Sequence, residues 1–319
     1  MNKYLVGVLY YGSKDDEHDA CMKKLEKHPR ILNLAEVKGC PYIDIGRATL
    51  AEYSIAMEGC DGILFIDHDI LFTNESVDQI LESCDRTKAV VGAAYSMRSP
   101  GSKMIGAIDV QKCGDRPIVF FQGGAIYPAL YLGMGFTAIH REAFQKIIDH
   151  ADQKHARRQA IVQELRELLP HGPDHVRHLF DELIPELKEH DLPWLSNGVT
   201  KTALRPFFSL LQRQGAYYGE DVSFCLRAED AGVPVYMDTR VRVAHKGAYA
   251  FEIEDCSFVV PILPRLEGVL SGTPAAVATP ASPHAEVRGA IEASAGKTTE
   301  TLLETAVTPP PRELAEASP

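Results

Sequence analysis

Short runs of apolar residues alternate along the chain with longer segments in which apolar residues recur every three or four positions. The short runs predict strands and the longer segments predict amphipathic helices. Strands are predicted at residues 4–10, 31–37, 62–66, 88–93, 135–140 and 233–237. Helices are predicted at about 14–27, 46–58, 74–83 and 219–231, with capping side chains for the third in 73–76. This alternation is typical of an α/β domain.

Two segments depart from this pattern. Residues 149–200 carry leucines from Leu165 onward at helical spacing on a charged background rich in histidine, which predicts a helical insertion. From about Gly268 the composition changes to Ala, Pro, Thr, Ser and Glu, and no aromatic residue follows Phe258. Such a segment buries too little apolar surface to offset the entropy of ordering it, so residues 269–319 are predicted to be a disordered tail. Residues 1–148 and 201–268 are predicted to form the α/β domain itself.

The composition limits which binding partners and which cellular compartment we expect. The 319 residues carry 33 Lys and Arg against 44 Asp and Glu, a net charge of −11 without a basic run, which argues against duplex nucleic acid as a partner. The seven cysteines include no C-x-x-C pair, which argues against a disulfide framework or a zinc ribbon. We find no apolar stretch of transmembrane length and no signal peptide, and we expect a cytoplasmic protein.

The sharpest motif is an apolar strand that stops at Asp67-His68-Asp69. Buried carboxylates without a cation are costly. Two acids one residue apart at a strand end can offer oxygens to Mg2+ or Mn2+, which in turn binds a substrate phosphate. Strand ends of this kind are where open α/β sheets bind ligands. The competing interpretation is that both acids only cap the following loop.

Four other positions carry candidate chemistry or packing roles. Arg47, near the start of the second predicted helix, could bind a phosphate, hold an acid of the D-x-D motif, or form a surface salt bridge. Tyr10 could flank a nucleobase and Trp194 could stack on the apolar face of a sugar ring, although both residue types also serve as packing anchors. Gly135 either lets a ligand approach the backbone closely or permits a tight turn.

A second acidic pair, Glu220 and Asp221, opens the last predicted helix, and His245 follows the last predicted strand. First-turn acids are favoured by the helix dipole, and a histidine at a strand end is often structural. Each feature alone therefore has a structural explanation. With the D-x-D motif upstream of the acidic pair and His245 downstream of it, a functional role is the better hypothesis.

Together, four features resemble the GT-A class of nucleotide-sugar-dependent glycosyltransferases, especially its family 2-like bacterial and phage members. They are the strand that ends at Asp67-His68-Asp69, the segment GMGFTAIHREAF at 133–144, the Gly219-Glu220-Asp221 helix start, and His245. The resemblance covers roughly residues 1–148 and 200–250 and leaves the insertion and the tail unmatched. It implies a GT-A, Rossmann-like fold with a mixed central sheet flanked by helices.

On the donor side, the resemblance implies that Asp67, Asp69 and His245 hold Mn2+ or Mg2+, which neutralises the diphosphate of a nucleotide-sugar. Asp69 is expected to bind the metal directly, and Asp67 to contact the ribose or to reach the ion through water. An imidazole ligand favours manganese. Arg47 and a loop containing Gly135 are expected to line the donor site.

On the acceptor side, the resemblance implies sugar transfer with inversion to a hydroxyl acceptor, which could belong to a glycan, a lipid-linked molecule or another compound. Asp221 matches the base that removes the acceptor proton, and Glu220 would orient Asp221 or bind acceptor hydroxyls. The insertion at 149–200 and Trp194 are expected to shape the acceptor site.

Two other functions stay open. A haloacid-dehalogenase-like phosphatase would use Asp67 as its nucleophile, but Ile70, Leu71 and Phe72 follow Asp69, the motif lies far from the N-terminus, and no G-D-x-x-x-D acid pair follows. A glycan- or nucleotide-binding module without turnover would not need both acid pairs and His245.

Overall fold

The computed structural model describes residues 1–10, 12, 15–98, 103–168, 204–213, 215–247 and 250–253. The candidate acceptor residue Trp194, residues 169–200 of the predicted insertion, and the predicted tail at 269–319 lie outside these residues.

The strands carry β labels and the helices α labels in chain order. The strands are β1 Tyr4–Tyr10, β2 Ile31–Lys38, β3 Gly62–Asp67, β4 Ile70–Leu71, β5 Val90–Ala93, β6 Tyr95–Ser96, β7 Met104–Ile105, β8 Ala107–Ile108, β9 Ile126–Tyr131, β10 Phe136–His140, β11 Leu211–Arg213, β12 Ala216–Tyr218, β13 Val235–Asp238, β14 Ala244–Lys246 and β15 Ala250–Phe251. The helices are α1 Asp16–Leu25, α2 Ile43–Ala56, α3 Asn74–Thr87, α4 Val110–Cys113, α5 Arg141–Leu168 and α6 Glu220–Asp230.

The main sheet has eight strands in the order β2-β1-β3-β10-β5-β13-β9-β8. It is mixed, because β1 runs parallel to β2 and β3 and β5 runs parallel to β13, whereas β10 is antiparallel to both β3 and β5. Strand β13 lies between β5 and β9, so chain segments before and after α5 build one sheet. The α/β class and the mixed central sheet flanked by helices are therefore confirmed.

Both faces of this sheet are covered, because successive side chains of a strand point to opposite faces. In β3, Ile63 and Phe65 pack into one hydrophobic cluster, and Leu64 and Ile66 pack into the other. The first cluster includes side chains of α2, α5 and α6, and the second includes side chains of α1 and α3. The continuous apolar run of β3 is the pattern expected for a strand buried on both faces.

All six predicted strands and four predicted helices are present; β1 has the predicted ends, and the others are shifted at one or both ends. Helix α3 has the predicted cap: the Thr73 hydroxyl accepts from the Ser76 N–H, and the Ser76 hydroxyl accepts from the Thr73 N–H. Helix α2 begins at Ile43, three residues before the predicted start, which makes Arg47 its fifth residue.

Helix α5 passes through the predicted boundary of the insertion at residue 149. Its first turns place Ala143, Phe144, Ile147 and Ile148 in the core, and the charged residues that follow continue the same helix to Leu168. The described part of the insertion is therefore helical, as predicted, and is continuous with a core helix. No helix among the described residues combines the length and the apolar character needed to cross a bilayer.

Candidate active site

Asp67, Gly135 and Tyr10 lie at the edge of the sheet where β1, β2 and β3 end. These strands are parallel, so their carboxyl ends share one edge of the sheet, and Asp67 is the last residue of β3. The Asp67 N–H donates to the Gly135 carbonyl at 2.9 Å, which ties the strand end to the segment before β10. Tyr10 ends β1 at the same edge, but its hydroxyl lies 3.3 Å from Glu36 and its ring contacts Lys38, both on β2.

Arg47 joins the two acidic motifs. Its Nη2 atom lies 3.2 Å from each carboxylate oxygen of Asp67, and its Nε atom lies 3.8 Å from Oε1 of Glu220. The side chain is only 2% exposed. Of the three roles considered for Arg47, the structure shows the contact with an acid of the D-x-D motif.

The depth of Arg47 follows from the packing of α2. A Cβ atom on Gly46 would collide with the side chain of Leu9, so the glycine lets the helix approach β1 closely. Among the described residues, Nε and Nη1 of Arg47 have no hydrogen-bond partner. The buried guanidinium is therefore a fixed positive charge beside Asp67 and Glu220.

Charge and burial oppose each other in this cluster. Burial lowers the pKa of Arg47, but the nearby charges of Asp67, Glu220 and Asp221 raise it further, so the pKa is raised overall and the guanidinium stays charged. Burial and the neighbouring Asp221 raise the pKa of Glu220 by more than the attraction of Arg47 lowers it. Glu220 therefore carries its charge at a cost to the folded state.

Replacing Glu220 by glutamine is expected to stabilise the fold at neutral pH. Because the pKa of Glu220 is raised in the folded state, its protonated side chain favours folding. This contribution to stability is fully present below the unfolded pKa of about 4.3 and is lost as pH rises through the folded pKa. The stability difference between Glu220→Gln and the native chain should thus grow from about pH 4 towards neutrality. Urea denaturation across this range measures it, and Glu229→Gln, at an exposed position of the same helix, is the control. A Glu220→Gln variant less stable at neutral pH would contradict the prediction.

Asp69 and His245 meet through a small second sheet. Strand β14 pairs antiparallel with β4, which places His245 opposite Ile70, and the Lys246 N–H donates to the Asp69 carbonyl at 2.6 Å. The Nε2 atom of His245 lies 3.4 Å from Oδ2 of Asp69. Its Nδ1 atom lies 3.0 Å from the carbonyl oxygen of Ser96. Because a carbonyl only accepts, this network assigns a proton to Nδ1 and turns Nε2 towards Asp69.

Arg98 is the other neighbour of Asp69. The Nη1 atom of Arg98 lies 2.9 Å from the same Oδ2 oxygen. Burial raises the pKa of Asp69, but the hydrogen bond and charge of His245 and the charge of Arg98 lower it further, so the pKa is lowered overall. Asp69 is therefore held in its ionised form.

Tyr95 contacts both Gly135 and His245. The buried Tyr95 hydroxyl accepts from the Gly135 N–H at 2.9 Å, and the ring meets His245 edge-on at 5.6 Å between centroids. A Cβ atom on Gly135 would lie 2.6 Å from the Tyr95 hydroxyl and 3.1 Å from Oδ2 of Asp67. The absence of a side chain at Gly135 therefore leaves room for the side chains of Tyr95 and Asp67.

Sequence reasoning missed Tyr95 and Arg98. Both follow β5, which runs in the same direction as β3 because each is antiparallel to β10. Neither residue belongs to a motif, and their sequence signal is only that they follow an inner strand whose carboxyl end lies at this edge of the sheet.

The donor atoms of Asp69 and His245 suit a divalent cation. Two ligand atoms, each about 2.1 Å from one ion, are separated by roughly 3 Å, close to the distance between Oδ2 and Nε2. A hydrogen bond from the other ring nitrogen to a carbonyl is the usual support of a ligating histidine. The described residues contain no group of three or more His, Cys, Asp and Glu side chains arranged to hold a metal. Asp67 faces Arg47.

Comparison with known proteins gives little direct information. No protein-family model matches this chain, and no curated protein matches it. Among solved structures, it is similar to A197 from STIV, with 12% sequence identity and a TM-score of 0.45 over 82% of this chain and 98% of that chain. The functional argument therefore rests on the geometry of the site.

Proposed function

We propose that the protein is a metal-dependent GT-A glycosyltransferase that moves a sugar, with inversion, from a nucleotide-sugar to a hydroxyl acceptor. One observation carries this proposal. The buried Arg47 joins Asp67, at the end of β3, to Glu220, at the start of α6. Two acidic motifs more than 150 residues apart in the chain thereby share one site.

The donor side is formed by the D-x-D segment and His245. Asp69 and His245 would hold Mn2+ or Mg2+, and the bound ion would supply positive charge to the leaving diphosphate. Mn2+ is the better fit because a neutral imidazole is a ligand that it accepts more readily than Mg2+ does. Asp67, fixed by Arg47, accepts hydrogen bonds from the ribose, and Tyr10 flanks the nucleobase at the same edge of the sheet.

The acceptor side is formed by the first turn of α6. Asp221 accepts the proton of the acceptor hydroxyl as its oxygen bonds to the anomeric carbon, while the bond from that carbon to the diphosphate breaks on the opposite face. Glu220, next to it and held near Arg47, orients the acceptor hydroxyls. Trp194, which lies outside the described residues, is the proposed stacking platform for an acceptor sugar.

The contact between Arg47 and Asp67 disfavours the phosphatase alternative. Both Asp67 oxygens lie 3.2 Å from one buried guanidinium nitrogen, and this positive charge weakens the carboxylate as a nucleophile while leaving lone pairs that can accept a hydrogen bond. Hydrolysis of a sugar-nucleotide distinguishes an enzyme from a binding module without turnover.

A screen of sugar-nucleotides with Mn2+, read by released nucleoside diphosphate, tests the proposal. We expect slow hydrolysis of one sugar-nucleotide, because water can replace the missing acceptor. Asp69→Ala is expected to abolish metal-dependent binding of the corresponding nucleoside diphosphate in calorimetry, because it removes one of the two ligands. Asp230→Ala, at the far end of α6, is the matched control. Nucleotide binding that needs no metal, together with no hydrolysis of any donor, would refute the proposal.

A further inference from the structure

We propose that Arg98 alternates between Asp69 and the diphosphate of the donor. In the free protein it neutralises the carboxylate that the cation needs, and in the loaded protein it binds the phosphates. This inference rests on the proposed function and adds a phosphate-binding residue that no sequence motif marks.

The first argument is competition for one oxygen. Arg98 Nη1 lies 2.9 Å from Oδ2 of Asp69, the same atom that faces Nε2 of His245 at 3.4 Å. A divalent cation held between Asp69 and His245 would use the oxygen that Arg98 now contacts. Two positive groups on one carboxylate repel each other, so binding of the cation displaces the guanidinium.

The second argument concerns which group moves. The side chain of Arg98 is 54% exposed, whereas those of Asp69 and His245 are 13% and 12% exposed. An ion pair with so exposed a partner contributes little to stability, so a divalent ion can replace it. Asp69 and His245 stay in place because β4 and β14 are paired.

The third argument concerns where Arg98 goes. The backbone just before Arg98 is held beside the site, because the Met97 N–H donates to the Lys103 carbonyl at 3.1 Å. A Cβ atom placed on Gly247 would lie 3.3 Å from the Arg98 Cβ, so Arg98 begins close to β14. Only the side chain is free to leave. Phosphates bound to a cation at Asp69 lie within its reach, and a planar guanidinium can donate two parallel hydrogen bonds to phosphate oxygens.

Arg98→Ala tests this with two binding measurements whose expected changes have opposite signs. Binding of Mn2+ alone, followed by the electron paramagnetic resonance signal of free Mn2+, should tighten about fivefold because an exposed competitor is lost. Binding of UDP, ADP, GDP or CDP at saturating Mn2+, measured by calorimetry, should weaken about tenfold or more for whichever nucleotide the native chain binds. Arg98→Lys keeps the positive charge, so its affinities for Mn2+ and for the nucleotide should lie between those of the native chain and those of Arg98→Ala.

Arg213→Ala is the control, because it removes an arginine whose ion pair is with Asp230. It should change neither affinity. The role of Arg98 is refuted if Arg98→Ala changes the affinities for Mn2+ and for the nucleoside diphosphate in the same direction, or changes neither of them. The proposed function would stand in either case. If the native chain binds no Mn2+ in any of these measurements, the proposed function and this inference both fail.

Discussion

Replacing Arg47 by methionine is expected to destabilise the protein by about 3–5 kcal/mol, the cost of removing one partner from a buried ion pair. Arg47 is 2% exposed and lies beside Asp67 and Glu220, and its pKa also reflects the charge of Asp221. Methionine occupies similar volume, so the loss measures the carboxylates left without a counter-charge. Urea denaturation at neutral pH, analysed as a two-state transition, gives the change in the free energy of unfolding.

Two comparisons separate charge from packing at Arg47. Arg213→Met removes an arginine from a more exposed ion pair and should cost less than about 1 kcal/mol. Adding Asp67→Asn and Glu220→Gln to Arg47→Met should restore part of the lost stability, because the uncompensated charges then disappear. A loss below about 1 kcal/mol for Arg47→Met alone would show that the acids do not depend on this guanidinium.

Asp221→Asn is expected to lower the rate of sugar transfer by roughly a hundredfold to ten-thousandfold, the usual contribution of a positioned general base. The amide keeps the shape of the side chain but does not accept the acceptor proton at neutral pH. Binding of the nucleoside diphosphate with Mn2+ should stay unchanged, because the proposed cation ligands are Asp69 and His245. Initial rates with the donor found in the screen, together with calorimetry, measure both quantities.

The comparison between Asp221→Asn and Asp69→Ala tests the division of roles. Asp69→Ala should abolish metal-dependent nucleotide binding, whereas Asp221→Asn should preserve it. Asp230→Asn, at the other end of α6, should leave both rate and binding unchanged. Equal loss of nucleotide binding in the Asp69 and Asp221 variants would show that the donor and acceptor roles have been assigned wrongly.

The larger elements of the fold are readable from the chain because their signals are local. The apolar run of β3 ends at Asp67, its last residue. The cap of α3 is formed within residues 73–76, which are the residue before the helix and its first three residues. The short strands β4 and β14 carry no such signal. They contain two and three residues and exist because they pair with each other.

The sequence by itself determined the α/β class, the strand end that carries Asp67, and the helix start that carries Glu220 and Asp221, because each is a pattern over neighbouring residues. The tertiary structure alone decided that Arg47 is buried between these acids and that Arg98 and His245 share one oxygen of Asp69. These contacts join residues 20 to more than 170 positions apart. Their geometry depends on how strands pair and how closely α2 approaches β1, which no local pattern specifies.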